Sequence, residues 1–262
     1  MRKINLYCVI IISLISVSCS DFLDRNPYGV LSENTFYKNK FKFKRYRMQS
    51  KIILMTTAIL IFLPAIFFFT NDFKMFSGEE RTLLSFFQSI TTRTAGFNTA
   101  DMALMTESGK AVMIFLMLIG GSPSSTAGGM KTTTFAVLIL NAFATFRNRE
   151  DAGAFGRRFD GQVIKNAATI AMLYFMLLFF GGITISVYEG LPVLTCFYEA
   201  ASAVGTVGLT LGVTPGLHII SRLILIALMY LGRVGGMTLI YAVFSGKNNN
   251  GARMPLEKIT VG

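Results

Sequence analysis

The sequence predicts an all-α membrane protein made of two parallel repeats, each a membrane helix, a short non-spanning helix and a second membrane helix. Three observations predict it. Apolar residues fill 52% of the 262 positions and charged residues only 15%, against about 25% charged in soluble domains. Apolar runs long enough to cross a bilayer occur at residues 52–70, 109–146, 163–187 and 218–245. A short amphipathic stretch and a glycine-containing loop follow the first run and again the third.

Residues 52–70, IILMTTAILIFLPAIFFFT, carry no charge. Pro64 within them is tolerable, because neighbouring helices satisfy the freed backbone groups of a membrane helix. Residues 80–92, ERTLLSFFQSITT, read as helical but are too short and too polar to span. Thr94-Ala95-Gly96-Phe97-Asn98 follows as a loop. Residues 109–146 are apolar but interrupted at 120–131 by GGSPSSTAGGMK, so the first repeat, 52–146, ends in a broken helix. After a link over 147–162, residues 163–187 span again and 193–204, VLTCFYEAASAV, give a second short helix. Thr206-Val207-Gly208-Leu209 and the run 218–245 complete a second repeat over 163–246. Setting Gly96 on Gly208 without gaps also sets Thr94 on Thr206, Gly120 on Gly232 and Gly121 on Arg233. This is an internal repeat.

Loop charges orient it. Residues 40–51 are basic, and Lys38, Lys40, Lys42, Lys44, Arg45, Arg47 and Lys51 run together without an acid. The link and the residues just after it carry Arg147, Arg149, Arg157, Arg158 and Lys165, and the tail, 247–262, carries Lys247, Arg253 and Lys258. Asp72, Glu79, Glu80, Asp101, Glu107 and Glu189 fall in the other set of loops. The basic segments are separated by even numbers of crossings, so the positive-inside rule places all three in the cytoplasm. The repeats are then parallel.

The same pattern excludes other classes. Net charge is +11, but the basic residues sit between apolar runs, which fits cytoplasmic loops and not a nucleic-acid groove. Cys8, Cys19 and Cys196 are too few for a disulfide framework, and His218, the single histidine, has no partner for a metal site. No catalytic arrangement forms around it, so the chain does not read as an enzyme. The run 120–131 ends Gly-Gly-Met-Lys-Thr and lacks the Gly-Lys-Ser/Thr adjacency of a phosphate loop. The Met- and Phe-rich stretch 172–180 is lipid-facing or packed surface, with no bound cofactor implied.

The two loops carry the chemistry. A half-helix that enters the membrane leaves carbonyls unpaired at its C-terminus and beyond, which is tolerable only beside protein or a water-filled cavity. A ring of such carbonyls replaces the hydration shell of a potassium ion, and glycine permits the backbone angles required. The partial negative charge of a helix C-terminus also favours a cation. One T-x-G match alone reads as an ordinary turn; two in the same frame point to a filter formed by Thr94, Ala95, Gly96, Thr206, Val207 and Gly208.

FFQSITTRTAGFNTAD (86–101), IGGSPSSTAGGMKTTTF (119–135) and YEAASAVGTVGLTLGVTPGL (198–217) resemble the third filter, the third inner-helix break and the fourth filter of the Trk/Ktr/HKT potassium transporters. The resemblance runs from about Lys51 to Gly262. It implies half of a four-repeat potassium-channel-like pore, with Gly96 and Gly208 as two of four filter glycines. It also implies a gating loop beneath the filter, formed here by Gly120, Gly121, Ser122, Thr126, Gly128, Gly129 and Lys131. Arg233 lies within an apolar run, where a charge costs about 2.5–3.5 kcal/mol on insertion scales and is expected to find a partner. The repeat register sets it level with the break, whose carbonyls are suitable acceptors, and the family places a pore-blocking arginine there. An acid from another part of the assembly is the alternative partner. Lys131 reads equally well as a loop charge in cytoplasmic water.

The function implied is passive potassium uptake across a bacterial inner membrane, with sodium coupling (symport) and sodium selectivity left open. No covalent cofactor is expected. The implied partners are the missing pore half or a second copy, a homodimeric arrangement, membrane lipid, and a cytoplasmic nucleotide-binding regulatory subunit that would bring the only nucleotide. A non-transporting fragment or fusion product is the alternative. Residues 1–18 have a basic start, an apolar stretch and small residues before Cys19, a secretion-signal pattern. Residues 1–39 resemble the start of SusD/RagB-like lipoproteins, with Cys19 as the lipidated residue and Ser16 replacing the usual apolar residue. Export of the basic segment would oppose the orientation above, so a fused reading frame is the simplest account; the alternative leaves the hydrophobic start at the membrane surface. A glycan-binding surface lipoprotein is the remaining reading.

Overall fold

The structure is a computed structural model that describes residues 47–102, 105–149 and 151–235. The lipoprotein-like start with Cys19, most of the 40–51 basic segment and the 247–262 tail therefore lie outside the described residues.

Helices dominate: α1 (Met48–Asn71), α2 (Gly78–Thr91), α3 (Glu107–Leu118), α4 (Thr132–Phe146), α5 (Gly161–Glu189), α6 (Val193–Gly205) and α7 (Ile219–Val234). Between α4 and α5 a two-stranded hairpin pairs β1 (Gly153–Ala154) with β2 (Arg157–Arg158), a small strand pair in a fold expected to be all-α. Its turn residues Phe155 and Gly156 both have positive φ, 53° and 75°, the twist that suits a tight hairpin. The first helix begins at Met48, so the last residues of the basic segment form its first turn. The second short helix and the final helix start as expected. Beyond Gly235 the expected run to 245 is outside the described residues.

Among the described residues two helices, α1 and α5, are long and apolar enough to cross a membrane, and only 28% of the apolar window of each is buried. A core helix of a soluble protein would bury most of such a window. Here Leu54, Ile59, Phe62, Leu63 and Ile66 of α1 and Met172, Phe175 and Phe180 of α5 are exposed, an apolar surface that water does not suit.

The core centres on α6. Val193–Gly205 packs against α3, α5 and α7, and its residues from Tyr198 to Gly205 are all buried. Three alanines, Ala200, Ala201 and Ala203, favour the helix and let neighbours approach closely. A β-carbon on Gly205 would come within 2.3 Å of the Met117 carbonyl oxygen, and one on Gly232 within 1.9 Å of that of Val204. The short helix is therefore wedged between the end of α3 and the middle of α7.

Helices α3 and α7 both start on an acid, from the residue just after α1 in one case and the last residue of α5 in the other. Thr106, the N-cap of α3, donates its N–H (2.9 Å) and hydroxyl (2.7 Å) to Asp72 Oδ1. His218, the N-cap of α7, donates its N–H to Glu189 Oε1 at 2.9 Å and places Nδ1 2.9 Å from Oε2. The register that sets Gly96 on Gly208 also sets Thr106 on His218. Each contact satisfies a backbone donor that the start of a helix would otherwise leave unpaired.

Candidate functional site

Each short helix ends in a loop with the same alternation of backbone hand. After α2, Thr94 has φ 70° and Gly96 φ 75°; after α6, Thr206 has φ 53° and Gly208 φ 94°. Threonine in the left-handed region is strained, since its β-carbon crowds the backbone there. The intervening Ala95 and Val207 are not left-handed. Such alternation turns successive peptide carbonyls toward one side of the chain.

The strain is held by local bonds. Ala95 and Gly96 both donate to the Thr91 carbonyl, at 3.2 and 3.1 Å. Val207 donates to Ser202 O at 2.9 Å, and Gly208 N to Ser202 Oγ at 3.2 Å. The two loops also touch: a β-carbon on Gly96 would lie 2.0 Å from the Val207 carbonyl oxygen. By contrast nothing lies within 4 Å of a β-carbon placed on Gly208. A cavity of about 390 Å³ opens beside this second loop, lined in part by Glu199, Thr206, Gly208 and Met229.

The break between α3 and α4 lies against the second loop. A β-carbon on Gly128 would come within 2.2 Å of Thr206 Oγ1. Three backbone bonds close the neck of the break: Met130 N to Leu118 O (2.9 Å), Gly120 N to Met130 O (2.8 Å) and Thr132 N to Gly121 O (3.1 Å). The tip, residues 124–126, is exposed, and Ser124 has φ 68°. Two cations bind its carbonyls. Lys131 donates to Ala127 O at 2.6 Å and lies 3.4 Å from Ser125 O, so its side chain folds back on the break. Arg233 Nη1, from α7, donates to Thr126 O. Gly120, Gly121 and Gly129 line the neck, and Ser122 accepts from Ser125 N through its carbonyl.

Two charged residues joined to these loops were not among the sequence candidates. Arg93, just before Thr94, is part-buried and donates from Nη2 to Gly120 O at 3.3 Å, tying the first loop to the break. Glu199 is 4% exposed. Its carboxylate accepts from Thr210 Oγ1 (2.8 Å), Leu211 N (2.8 Å) and Thr214 Oγ1 (2.7 Å), bracing the chain beyond the second loop. A lone acid in an otherwise apolar short helix, and an arginine beside a T-x-G, were the available signals. Among the described residues no group of three or more His, Cys, Asp or Glu side chains could hold a metal ion; the polar atoms concentrated here are backbone carbonyls.

The family described as TrkH, cation transport protein, matches residues 36–250. The potassium/sodium uptake protein NtpJ of Enterococcus hirae is 37% identical over 230 residues, covering 84% of this chain and 51% of that protein. The Ktr system potassium uptake protein B of Bacillus subtilis is 30% identical over 231 residues, covering 86% and 52%. The chain thus spans about half the length of these curated relatives. The crystal structure of the potassium transporter TrkH from Vibrio parahaemolyticus superposes with a TM-score of 0.62 at 20% identity, over 75% of this chain and 44% of that one; that likeness concerns the fold.

Proposed function

The chain belongs to the TrkH family of cation transport proteins, and from that premise we propose that it conducts potassium through a membrane filter to which it contributes two of four loops. The observation that carries this reading is the matched backbone hand of Thr94/Gly96 and Thr206/Gly208 at the ends of two short helices. Membership in a transport family sets the chain among transporters and not enzymes.

In this reading α1 and α5 cross a bacterial inner membrane. The broken helix α3–α4 makes the second crossing of the first repeat, and the apolar run 218–245, which opens with α7, makes that of the second. Domain boundaries follow the repeats, 52–146 and 163–246, with 147–162 in the cytoplasm. Carbonyls from Thr94, Ala95 and Gly96 and from Thr206, Val207 and Gly208 replace part of the ion's hydration shell, because fixed carbonyl dipoles substitute for water. Two further loops complete the ring, supplied by another chain or a second copy. The open space at Gly208, set against the contact of Gly96 with Val207, supports a further loop on that flank.

The break over 120–131 acts as the gate. Its narrow neck keeps it in place, Gly128 lies next to the second loop, and its tip is held by Lys131 and Arg233. Releasing these cations from the carbonyls frees the tip to move. A homodimer and a cytoplasmic nucleotide-binding subunit acting on the gate accompany the reading by resemblance, and the relatives' names admit both potassium and sodium. The experiment is growth of a potassium-uptake-deficient bacterium at low potassium. The 262-residue chain alone should fail to restore it, and co-expression with a chain supplying two more filter loops should succeed. A pair that is well expressed in the membrane yet restores nothing would favour the non-transporting alternative.

A further inference from the structure

The link between α4 and α5 forms a cavity of about 370 Å³, lined by Arg147, Arg149, Arg157 and Arg158, with Asp151 as the one acid among the described residues that line it. Asp151 pairs loosely with Arg158, at 3.7 Å. Among the described residues the other three arginines have no acidic partner. Two devices hold these charges together despite their repulsion. The hairpin turn at Phe155 and Gly156 sets Arg157 opposite Ala154, and Phe159 N bonds Ala152 O at 2.8 Å behind it. Arg147 caps the C-terminus of α4, where the helix dipole favours a cation.

Positive-inside loops and a helix dipole account for basic residues here, but not for what adjoins them. A second, apolar cavity runs between α1 and α4, lined by Ile52, Met55, Ile59 and Ile139 among others. The two cavities share Leu140, Ala154 and Phe155. The Phe155 ring is also 5.3 Å from Lys51 Nζ on α1, adding a cation at the junction. A cationic cup thus adjoins, across Leu140, Ala154 and Phe155, a groove of hydrocarbon character along two helices.

We propose that this composite cavity binds one anionic phospholipid, its phosphate among Arg147, Arg149 and Arg157 and one acyl chain in the groove between α1 and α4. The inference rests on the membrane placement and cytoplasmic link proposed above. Guanidinium groups suit phosphate because their paired donors match its oxygens, and basic pockets at the cytoplasmic end of membrane helices favour anionic headgroups. A zwitterionic lipid brings its own cation into the cup and gains less. Free phosphate leaves the groove unfilled. The site lies apart from the filter and the break, so the lipid would fasten the link and the start of α1 to the end of α4.

The test uses the full 262-residue chain in phosphatidylcholine vesicles that contain a minor fraction of phosphatidylglycerol. Flotation with the vesicles first reports insertion; failure to float refutes the membrane placement, and this proposal with it. Native mass spectrometry of the extracted chain then reads the lipid retained. The expected result is retention of phosphatidylglycerol over phosphatidylcholine, reduced roughly 30-fold in Arg147→Gln/Arg157→Gln at about fivefold per arginine, and reduced less in Arg147→Lys/Arg157→Lys, which keeps the charge but not the paired donors. Ile139→Trp, which fills the groove and leaves the charges, should also lower retention, while inorganic phosphate should not displace the lipid. Equal retention of both lipids overturns the proposal, as does an unchanged Gln variant. Loss in the Lys variant equal to that in the Gln variant assigns the effect to hairpin structure. Displacement by inorganic phosphate with no effect of Ile139→Trp assigns the cup to a free anion. Either result also overturns it.

Discussion

Gly96 packs against the carbonyl oxygen of Val207, so closely that a β-carbon at residue 96 would lie 2.0 Å from that oxygen. The contact joins loops more than a hundred residues apart in sequence, and it is a contact between the two T-x-G segments themselves. With φ at 75°, residue 96 faces both a conformational cost of about 1–2 kcal/mol for any L side chain and a clash with backbone. Gly96→Ala should therefore disturb both loops at once. In a complex with four filter loops, potassium-over-sodium selectivity should fall sharply with protein level unchanged, as read by competitive uptake of the two ions. Selectivity equal to wild type would place the contact outside the ion path.

Arg233 and Lys131 hold the tip of the break. A hydrogen bond from a charged group contributes about 1.5–3 kcal/mol, so losing the one to Thr126 shifts an open–closed balance roughly tenfold or more. Arg233→Ala, and separately a short deletion within 121–129, should raise potassium flux in the same complex by that order. Reduced flux in both, at normal expression, would mean that these elements build the pore and do not block it.

Glu199 braces the second loop from behind. Removing a buried acceptor leaves its donors unsatisfied at about 1–3 kcal/mol. Glu199→Ala should lower the thermal unfolding midpoint in detergent and weaken selectivity, while Glu199→Gln, which keeps one acceptor oxygen, should lie between Ala and wild type. An unchanged midpoint in Glu199→Ala would show that Thr210, Leu211 and Thr214 hold the loop without it.

Orientation is testable at the hairpin. A reporter fused at Arg157 should report the cytoplasm, and one fused at Gly190, past the end of α5, the opposite side. A periplasmic signal at Arg157 would remove the parallel arrangement of the repeats and, with it, the lipid site.

Most of the helix order was legible because long uncharged apolar runs and short amphipathic stretches differ in length and polarity, as 52–70 differs from 80–92. The break was legible from its glycines. The left-handed angles of Thr94 and Thr206 were not, because threonine disfavours that region and only the surrounding bonds impose it. The hairpin was hidden for a similar reason: Ala-Phe-Gly-Arg lacks the Asn-Gly or Asp-Gly signal of a tight turn, and Phe155 takes a positive φ that favours glycine. Arg93 and Glu199 could be seen as misplaced charges, but their partners, Gly120 O and the Thr210–Thr214 segment, depend on tertiary packing that no local pattern encodes. Lys131, for which water was one expected partner, instead turns onto Ala127.

The central claim is that Gly208 lies in an ion filter, and the most direct measurement is the potassium-to-sodium permeability ratio of the reconstituted four-loop complex carrying Gly208→Val. Nothing crowds a β-carbon at this position, so the substitution acts through its φ of 94°, which valine resists, and should leave neighbouring packing intact. The account predicts that the ratio collapses toward unity, or that conduction is lost, with assembly and protein level as in wild type. A ratio and conductance unchanged by Gly208→Val would contradict it.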